Sequence, residues 1–273
     1  MNMRELSNSC KTSLESVALP ARASLYLLTD GCIFSAPPGF SSFSTPSTAM
    51  VVLGARQESF SIVIAKNAIT TECVAIAPRI ERGLEFGFST LVAFVLAPTH
   101  RLYKQFCEIP ESGCRSFDRR ILNHCDPEIW KCLRGELTLS AANELFDVVT
   151  AAIASQLPKV RRRDPRIDRL FELLGAEPAW PMAKLCAAIG ISYDRVSHLF
   201  ADEVGLPLKS YRLWAKARAA SRQFNSGKSL TEIAHASGFT DSAHLSRTFK
   251  TFFDVLPSNL VDSGYVRVFS DTR

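Results

Sequence analysis

Apolar positions recur along the chain with two periods, and the change from one to the other divides it. From Ser24 to Leu96, runs rich in Val, Ile, Leu and Phe (SLYLLTDGCIF, MVVLGAR, SFSIVIA, ITTECVAIAP, LEFGF, LVAFVLA) are broken by Gly, Pro, Ser or Asn. That pattern predicts several short strands built into a barrel or sandwich. Residues 1–20 read as a lead-in without regular structure. From Thr99 to Ser155 the spacing turns helical, in APTHRLYKQF, DPEIWKCLRGEL and LSAANELFDVVTAAIASQL. The last of these is expected to start on a Ser140 cap and to align Leu145, Val148 or Val149, and Ile153 on one apolar face.

The segment QLPKVRRRDPRIDR, Gln156 to Arg169, reads as a linker. Pro158 and Pro165 interrupt helices there, and Lys159, Arg161, Arg162 and Arg163 form a basic run that could touch phosphate. Helical spacing resumes in RIDRLFELL, with Ile167, Leu170, Phe171 and Leu174 as the buried face. Leu208 to Phe224, LKSYRLWAKARAASRQF, predicts one continuous helix about 25 Å long at 1.5 Å per residue.

The most specific pattern follows it. Ser229 and Glu232 form a capping box, in which hydroxyl and carboxylate satisfy backbone N–H groups that a helix start leaves without partners. Leu230, Ile233 and Ala234 continue at helical spacing, and Gly238 stands where the chain must turn sharply. A second helix is expected to begin near Thr240 or Asp241. Its Leu245, Phe249 and Phe252 face a core, which leaves Ala243, Arg247 and Lys250 on an exposed stripe that can enter a major groove.

The same plan occurs 48 residues upstream: Leu185 answers Ile233, Gly190 answers Gly238, Ser192 caps the next helix, and Val196, Leu199 and Phe200 make its apolar face. Two copies of a helix-turn-helix, joined by a stiff rod, can present two recognition helices to major-groove segments about 34 Å apart. The motifs LCAAIGIS and LFADEVGLPLKSY in the first unit, with GFTDSAHLSRTFK and FFDVLPS in the second, resemble the paired helix-turn-helix domain of the AraC family of bacterial transcription regulators.

The resemblance implies an α+β chain: a cupin-like N-terminal β-barrel with flanking helices for sensing and dimerisation over 1–155, the basic linker over 156–165, and an all-α DNA-binding domain over 166–265. The helix-turn-helix units fall at 181–203 and 229–253. It also implies double-stranded DNA and RNA polymerase as partners, a small-molecule effector and a homodimer; a start unlike a signal peptide and the lack of a membrane-length apolar run add the expectation of a cytoplasmic location. Carried onto this sequence, it places DNA contacts at Tyr193, Asp194, Arg195, Ser197 and His198, and at Ser242, Ala243, His244, Arg247 and Lys250. Arg247 is the best reader of a base, because its fork can bond guanine O6 and N7 together. Asp254 departs from the glycine usual in the family, which the first unit keeps as Gly205, and Asn259 and Leu260 replace a usual tyrosine-arginine pair.

Charge agrees with a polyanionic partner for one half only. Residues 1–155 carry 14 Lys+Arg against 15 Asp+Glu, whereas 156–273 carry 18 against 12. Residues 50–96 hold no histidine, so the ligand set of a metal-dependent cupin enzyme is missing; Arg79, Glu81 and Arg82 stand in the later ligand region. No GxxxxGK[ST], GxSxG or HExxH motif occurs either, and no enzymatic activity, cofactor or metal is expected. Arg56, Arg79 and Arg82 could pair with an anionic effector, or be exposed strand-end charges. Cys107, Cys114, Cys125 and Cys132, separated by 6, 10 and 6 residues, are spaced wrongly for a zinc ribbon. Because Cys107 lies near Lys104 and Cys132 between Lys131 and Arg134, thiol or metal response is the rival reading, through lowered thiol pKa values. No apolar run approaches the length of a membrane span, and no signal peptide is recognised.

Overall fold

The computed structural model describes residues 22–36, 41–44, 47–55, 58–64, 66–85, 90–110, 112–177, 180–224, 226–253, 256–261 and 266–270. The N-terminal lead-in, Arg56 and Asp254 lie outside them. Among the described residues, the β-rich half forms nine strands before the first helix: β1 (Ala23–Leu27), β2 (Gly31–Ala36), β3 (Ser41–Ser44), β4 (Ala49–Gly54), β5 (Phe60–Ile64), β6 (Asn67–Thr71), β7 (Cys73–Ile76), β8 (Arg82–Glu85) and β9 (Leu91–Leu96). Three strands were not expected from the pattern: β3, β10 (Cys114–Ser116) and β11 (Val266–Ser270).

They assemble as a seven-stranded sheet, ordered β10-β7-β4-β9-β2-β1-β11, and a four-stranded sheet, ordered β3-β8-β5-β6. The expected N-terminal β domain is built as two packed sheets, with no closed barrel among the described residues, and side-chain alternation explains why. Strand β4 is buried on both faces: Ala49, Val51 and Leu53 pack toward the helices, Met50 and Val52 toward Phe60, Ile62 and Ile64 of the small sheet. The small sheet covers only the β7-β4-β9 part of that face. Over β2, β1 and β11, the same face is covered by the C-terminal helices, through Ala23, Leu25 and Val266 against Ala217, Ala220, Phe224 and Phe249. A face already covered by another layer leaves no exposed apolar surface to drive closure.

The opposite face is covered by α1 (Tyr103–Cys107), a 3-10 turn over Arg119–Cys125, α2 (Asp126–Arg134) and α3 (Leu139–Ala154). The cap of α3 is Thr138, not Ser140: Thr138 is extended, and its hydroxyl accepts from the Ala141 N–H at 3.2 Å. Of the two alternatives on its apolar face, Val149 is buried and Val148 is 44% exposed. The cysteines of this region are not activated thiols. Burial pushes Cys107 up to about 11 and Cys132 up to about 12, and it raises Cys114 and Cys125 as well. Desolvation of the thiolate outweighs the nearby Lys104 and Arg79 cations at Cys107.

The C-terminal helices are α4 (Pro165–Ala176), α5 (Met182–Ile189), α6 (Tyr193–Val204), α7 (Leu208–Ser221), α8 (Leu230–Ala236), α9 (Ser242–Phe253) and α10 (Pro257–Val261). Pro165 does not interrupt a helix but opens one, at the first position behind an Asp164 cap whose carboxylate accepts from Arg166 N–H at 2.9 Å. The basic run is also split. Lys159, Arg161 and Arg162 are exposed, whereas Arg163 turns inward, donates to the carbonyls of Pro98, Thr99 and His100, and lies 4.9 Å over the Phe171 ring. Three fixed carbonyls and an aromatic face hold that guanidinium, so it is withdrawn from phosphate contact.

Candidate nucleic-acid interface

Each helix-turn-helix unit is built from local signals. In the second, Ser229 and Glu232 form the reciprocal capping box, with Glu232 Oε2 2.8 Å from Ser229 N, and α8 follows at once. In the first, the Ser192 hydroxyl accepts from Arg195 N–H and starts α6. The two turns carry Gly190 and Gly238, both at φ 76°. Only glycine enters that left-handed region without strain, so each turn aims the next helix away from the one before it.

Each unit has its own core. In the first, Leu185, Val196 and Phe200 are fully buried, and Phe200 lies 5.7 Å from Phe171 and 5.2 Å from Tyr211. In the second, Leu245 and Phe249 are buried, with Phe249 5.2 Å from Phe224 and 4.4 Å from Phe253. Helix α7 joins them, about 21 Å of rod at 1.5 Å per residue, shorter at its C-terminal end than the expected span.

The stripes opposite these cores stand clear. On α6, Tyr193, Asp194, Arg195 and His198 are exposed and Ser197 is half-buried. On α9, Ala243, Arg247 and Lys250 are exposed, with Ser242 and His244 half-buried. His244 is oriented by its surroundings: Nδ1 lies 3.2 Å from the Thr240 hydroxyl, and the ring meets Phe239 edge-on at 5.2 Å. Asp241 accepts from the His244 backbone N–H at 2.6 Å, which caps α9 and holds the Asp241 carboxyl below its usual range. In place of the usual tyrosine-arginine pair, Leu260 is a core residue, 1% exposed.

Of the three arginines singled out for an anionic effector, Arg56 lies outside the described residues. Arg79 is exposed at φ 62°, and Arg82 is buried with its guanidinium donating to the Thr48 carbonyl at 3.5 Å. Sequence reading missed a cavity of about 200 Å³ between the β1–β2 turn and α7. Arg218, Arg222 and Trp214 line it from α7 and its C-terminal end, Cys32 from β2, and Ser270 from β11. Arg218 lies 5.4 Å from the Trp214 ring and donates to the Leu28 carbonyl at 2.9 Å; burial, then the Arg222 cation, push its pKa down. Trp214 Nε1 and Ser270 Oγ are buried without a hydrogen-bond partner. The signal was present in the sequence as a helical i, i+4, i+7 spacing of Trp214, Arg218 and Ser221, which puts a cation on the buried side of α7.

Residues 185–263 match the family model described as a helix-turn-helix domain. In overall fold the chain is similar to ToxT of Vibrio cholerae. The unsaturated-fatty-acid-bound ToxT of strain SCE256 aligns with a TM-score of 0.56 at 10% identity, over 86% of this chain and 96% of that one. ToxT of Vibrio cholerae O395 aligns with a TM-score of 0.55 at 9% identity, over 85% and 97%. Comparison with curated protein sequences gave no match. A duplicated helix-turn-helix with both reading faces clear, behind an N-terminal sheet domain, defines a DNA-binding transcription regulator. Within that class, the helix-turn-helix domain over residues 185–263 is of the AraC type.

Proposed function

We propose that the protein reads two adjacent major-groove segments of duplex DNA with α6 and α9, and that its interdomain cavity takes a small effector that tunes this binding. The observation that carries the first part is the exposed Arg247, on the face opposite buried Leu245 and Phe249. Tyr193, Asp194, Arg195, Ser197 and His198 serve the first segment; Ser242, Ala243, His244 and Lys250 accompany Arg247 on the second. Transcription control through RNA polymerase, a cytoplasmic location and the absence of catalysis follow from the same reading. Among the described residues no helix is long and apolar enough to cross a membrane.

Arg247→Ala should leave the melting temperature unchanged, since it removes no core contact. It should cost about 1–3 kcal/mol on the specific site and relax preference at one base pair. A phosphate contact would instead weaken all sequences alike and lower the salt slope by about one unit. Selection on randomised DNA with wild type and Arg247→Ala decides between them: unchanged preference at every position means that Arg247 reads no base.

The effector reading rests on the cavity chemistry. Two arginines beside buried Trp214 Nε1 and Ser270 Oγ atoms that lack partners suit an anionic head, and Leu27, Val95 and Phe253 suit an apolar body. The ToxT relative was solved with an unsaturated fatty acid, which has that same amphiphilic chemistry. A panel of short- and medium-chain carboxylates, followed by thermal shift, is the test. A ligand at about 100 times its Kd should stabilise the wild type by about 2.7 kcal/mol. Arg222→Gln should weaken that shift. If no carboxylate on the panel raises the melting temperature, the anionic effector is wrong.

A further inference from the structure

Beside Arg247, α9 presents one side chain whose chemistry depends on which of its atoms carries a proton. His244 is half-buried in the first turn of α9, just after the exposed Thr240 and Asp241. A neutral imidazole has one N–H and one bare nitrogen, so a given edge of the ring either donates or accepts, never both. Which edge His244 turns outward is decided by what the other edge bonds.

Counting hydrogens settles that. The Asp241 carboxylate takes two of them: Oδ1 accepts the His244 backbone N–H at 2.6 Å, and Oδ2 accepts the Thr240 hydroxyl at 3.2 Å. The backbone bond first, then the Thr240 bond and the Arg247 cation, hold that carboxyl below its usual range, so it is ionised and has no proton to give. A hydroxyl carries a single hydrogen, and a charged acceptor makes the stronger bond. With that hydrogen committed to Asp241, the Thr240 oxygen meets His244 Nδ1 at 3.2 Å with lone pairs only. The contact is then a hydrogen bond only when Nδ1 carries the ring proton. Phe239, 4% exposed, packs edge-on to the ring at 5.2 Å and fixes its plane, and a flip of the ring would cost Nδ1 its partner. Nε2 is therefore the bare nitrogen, and among the described residues it has no partner.

An outward acceptor selects its partner in a major groove. Adenine and cytosine offer amine hydrogens there, at N6 and N4, whereas guanine and thymine offer the carbonyl oxygens O6 and O4. A bare Nε2 bonds the first pair and is repelled by the second; an outward N–H would reverse the preference. We propose that His244 is a specificity-determining residue that accepts from the amine of an adenine or cytosine on one strand, and that Thr240 and Asp241 are positioning residues that set the ring in that form. The inference rests on the two-segment reading above and adds to it a second read base, of opposite donor sense to the one assigned to Arg247.

Two measurements on the full chain test it. Long-range proton–nitrogen correlation NMR of the free protein at about pH 8, where imidazoles are neutral, shows which ring nitrogen of His244 carries the proton, the signal being assigned by its loss in His244→Ala. A proton on Nε2 overturns the inference. Selection on randomised duplexes then compares wild type with His244→Ala, Thr240→Val and Thr240→Ser. Wild type should favour adenine or cytosine over guanine or thymine at one position by about three- to tenfold, the usual worth of a single neutral hydrogen bond. His244→Ala should lose that preference and keep the one that depends on Arg247. Thr240→Val, which keeps the shape but not the hydroxyl, should lose most of it, and Thr240→Ser should restore it. Unchanged preference in His244→Ala means that His244 reads no base, a guanine or thymine preference means that Nε2 donates, and full preference in Thr240→Val means that the threonine does not set the ring. Each of these overturns the inference and leaves the DNA reading standing. If the wild type enriches no sequence at all, the DNA reading falls and the inference with it.

Discussion

Affinity for the specific duplex should fall by roughly three orders of magnitude between about 50 and 200 mM salt, because contacts to about 5 to 8 phosphates give a log–log slope of about −4.5 to −7. The expectation comes from the charge surplus of residues 156–273 and from where the fold puts it. Lys184, Arg195, Lys209, Lys228, Arg247 and Lys250 are exposed, whereas Arg163 and Arg218 are spent on backbone carbonyls and aromatic faces inside the protein. Two cations withdrawn from the surface favour the shallow end of the range. Fluorescence anisotropy on a labelled site over a salt series measures it. A slope flatter than about −2 would mean fewer than about three phosphates neutralised, too few for two seated units.

Phe249→Ala should destabilise the protein by about 3–5 kcal/mol, the usual cost of deleting a buried ring together with the cavity left behind. Phe249 is 1% exposed and packs on Phe224 and Phe253, and the cluster that contains it runs on into Ala23, Leu25 and Val266. The loss should therefore spread from α9 into the edge of the N-terminal sheet and not stay confined to one helix. Against a total stability of about 5–15 kcal/mol, that is enough to unfold a marginal protein at growth temperature. Urea denaturation of Phe249→Ala beside Arg247→Ala provides the contrast. The two positions are only two residues apart, but one faces the core and the other solvent. A loss below about 1 kcal/mol for Phe249→Ala would show that α9 is not packed as described.

The DNA-reading half was legible because its determinants are local. A capping box spans four residues, a glycine turn one, and the apolar stripes of α6 and α9 repeat every three or four. None of these depends on where the rest of the chain lies. Strand content between Ser24 and Leu96 was legible for the same reason, since β-rich runs of both-faces-buried residues such as AMVVLG announce themselves. The cap of α3 was misplaced by two residues because Thr138 and Ser140 carry the same hydroxyl, and only backbone conformation selects between them.

By itself, then, the sequence determined a β-rich half, a helical half with two matching helix-turn-helix units, and the residues that those units leave exposed. The tertiary structure alone decided that the strands form two packed sheets, that Arg163 is an interior cation, which carbonyl Arg218 finds, and that β11 crosses back to join β1. The physical reason is separation along the chain. Arg218 finds its carbonyl partner 190 residues away, and Val266 pairs with Ala23 at the opposite end of the described chain. Pairings of that kind are selected by which surfaces remain uncovered once each half has folded, and no periodicity within either half records them.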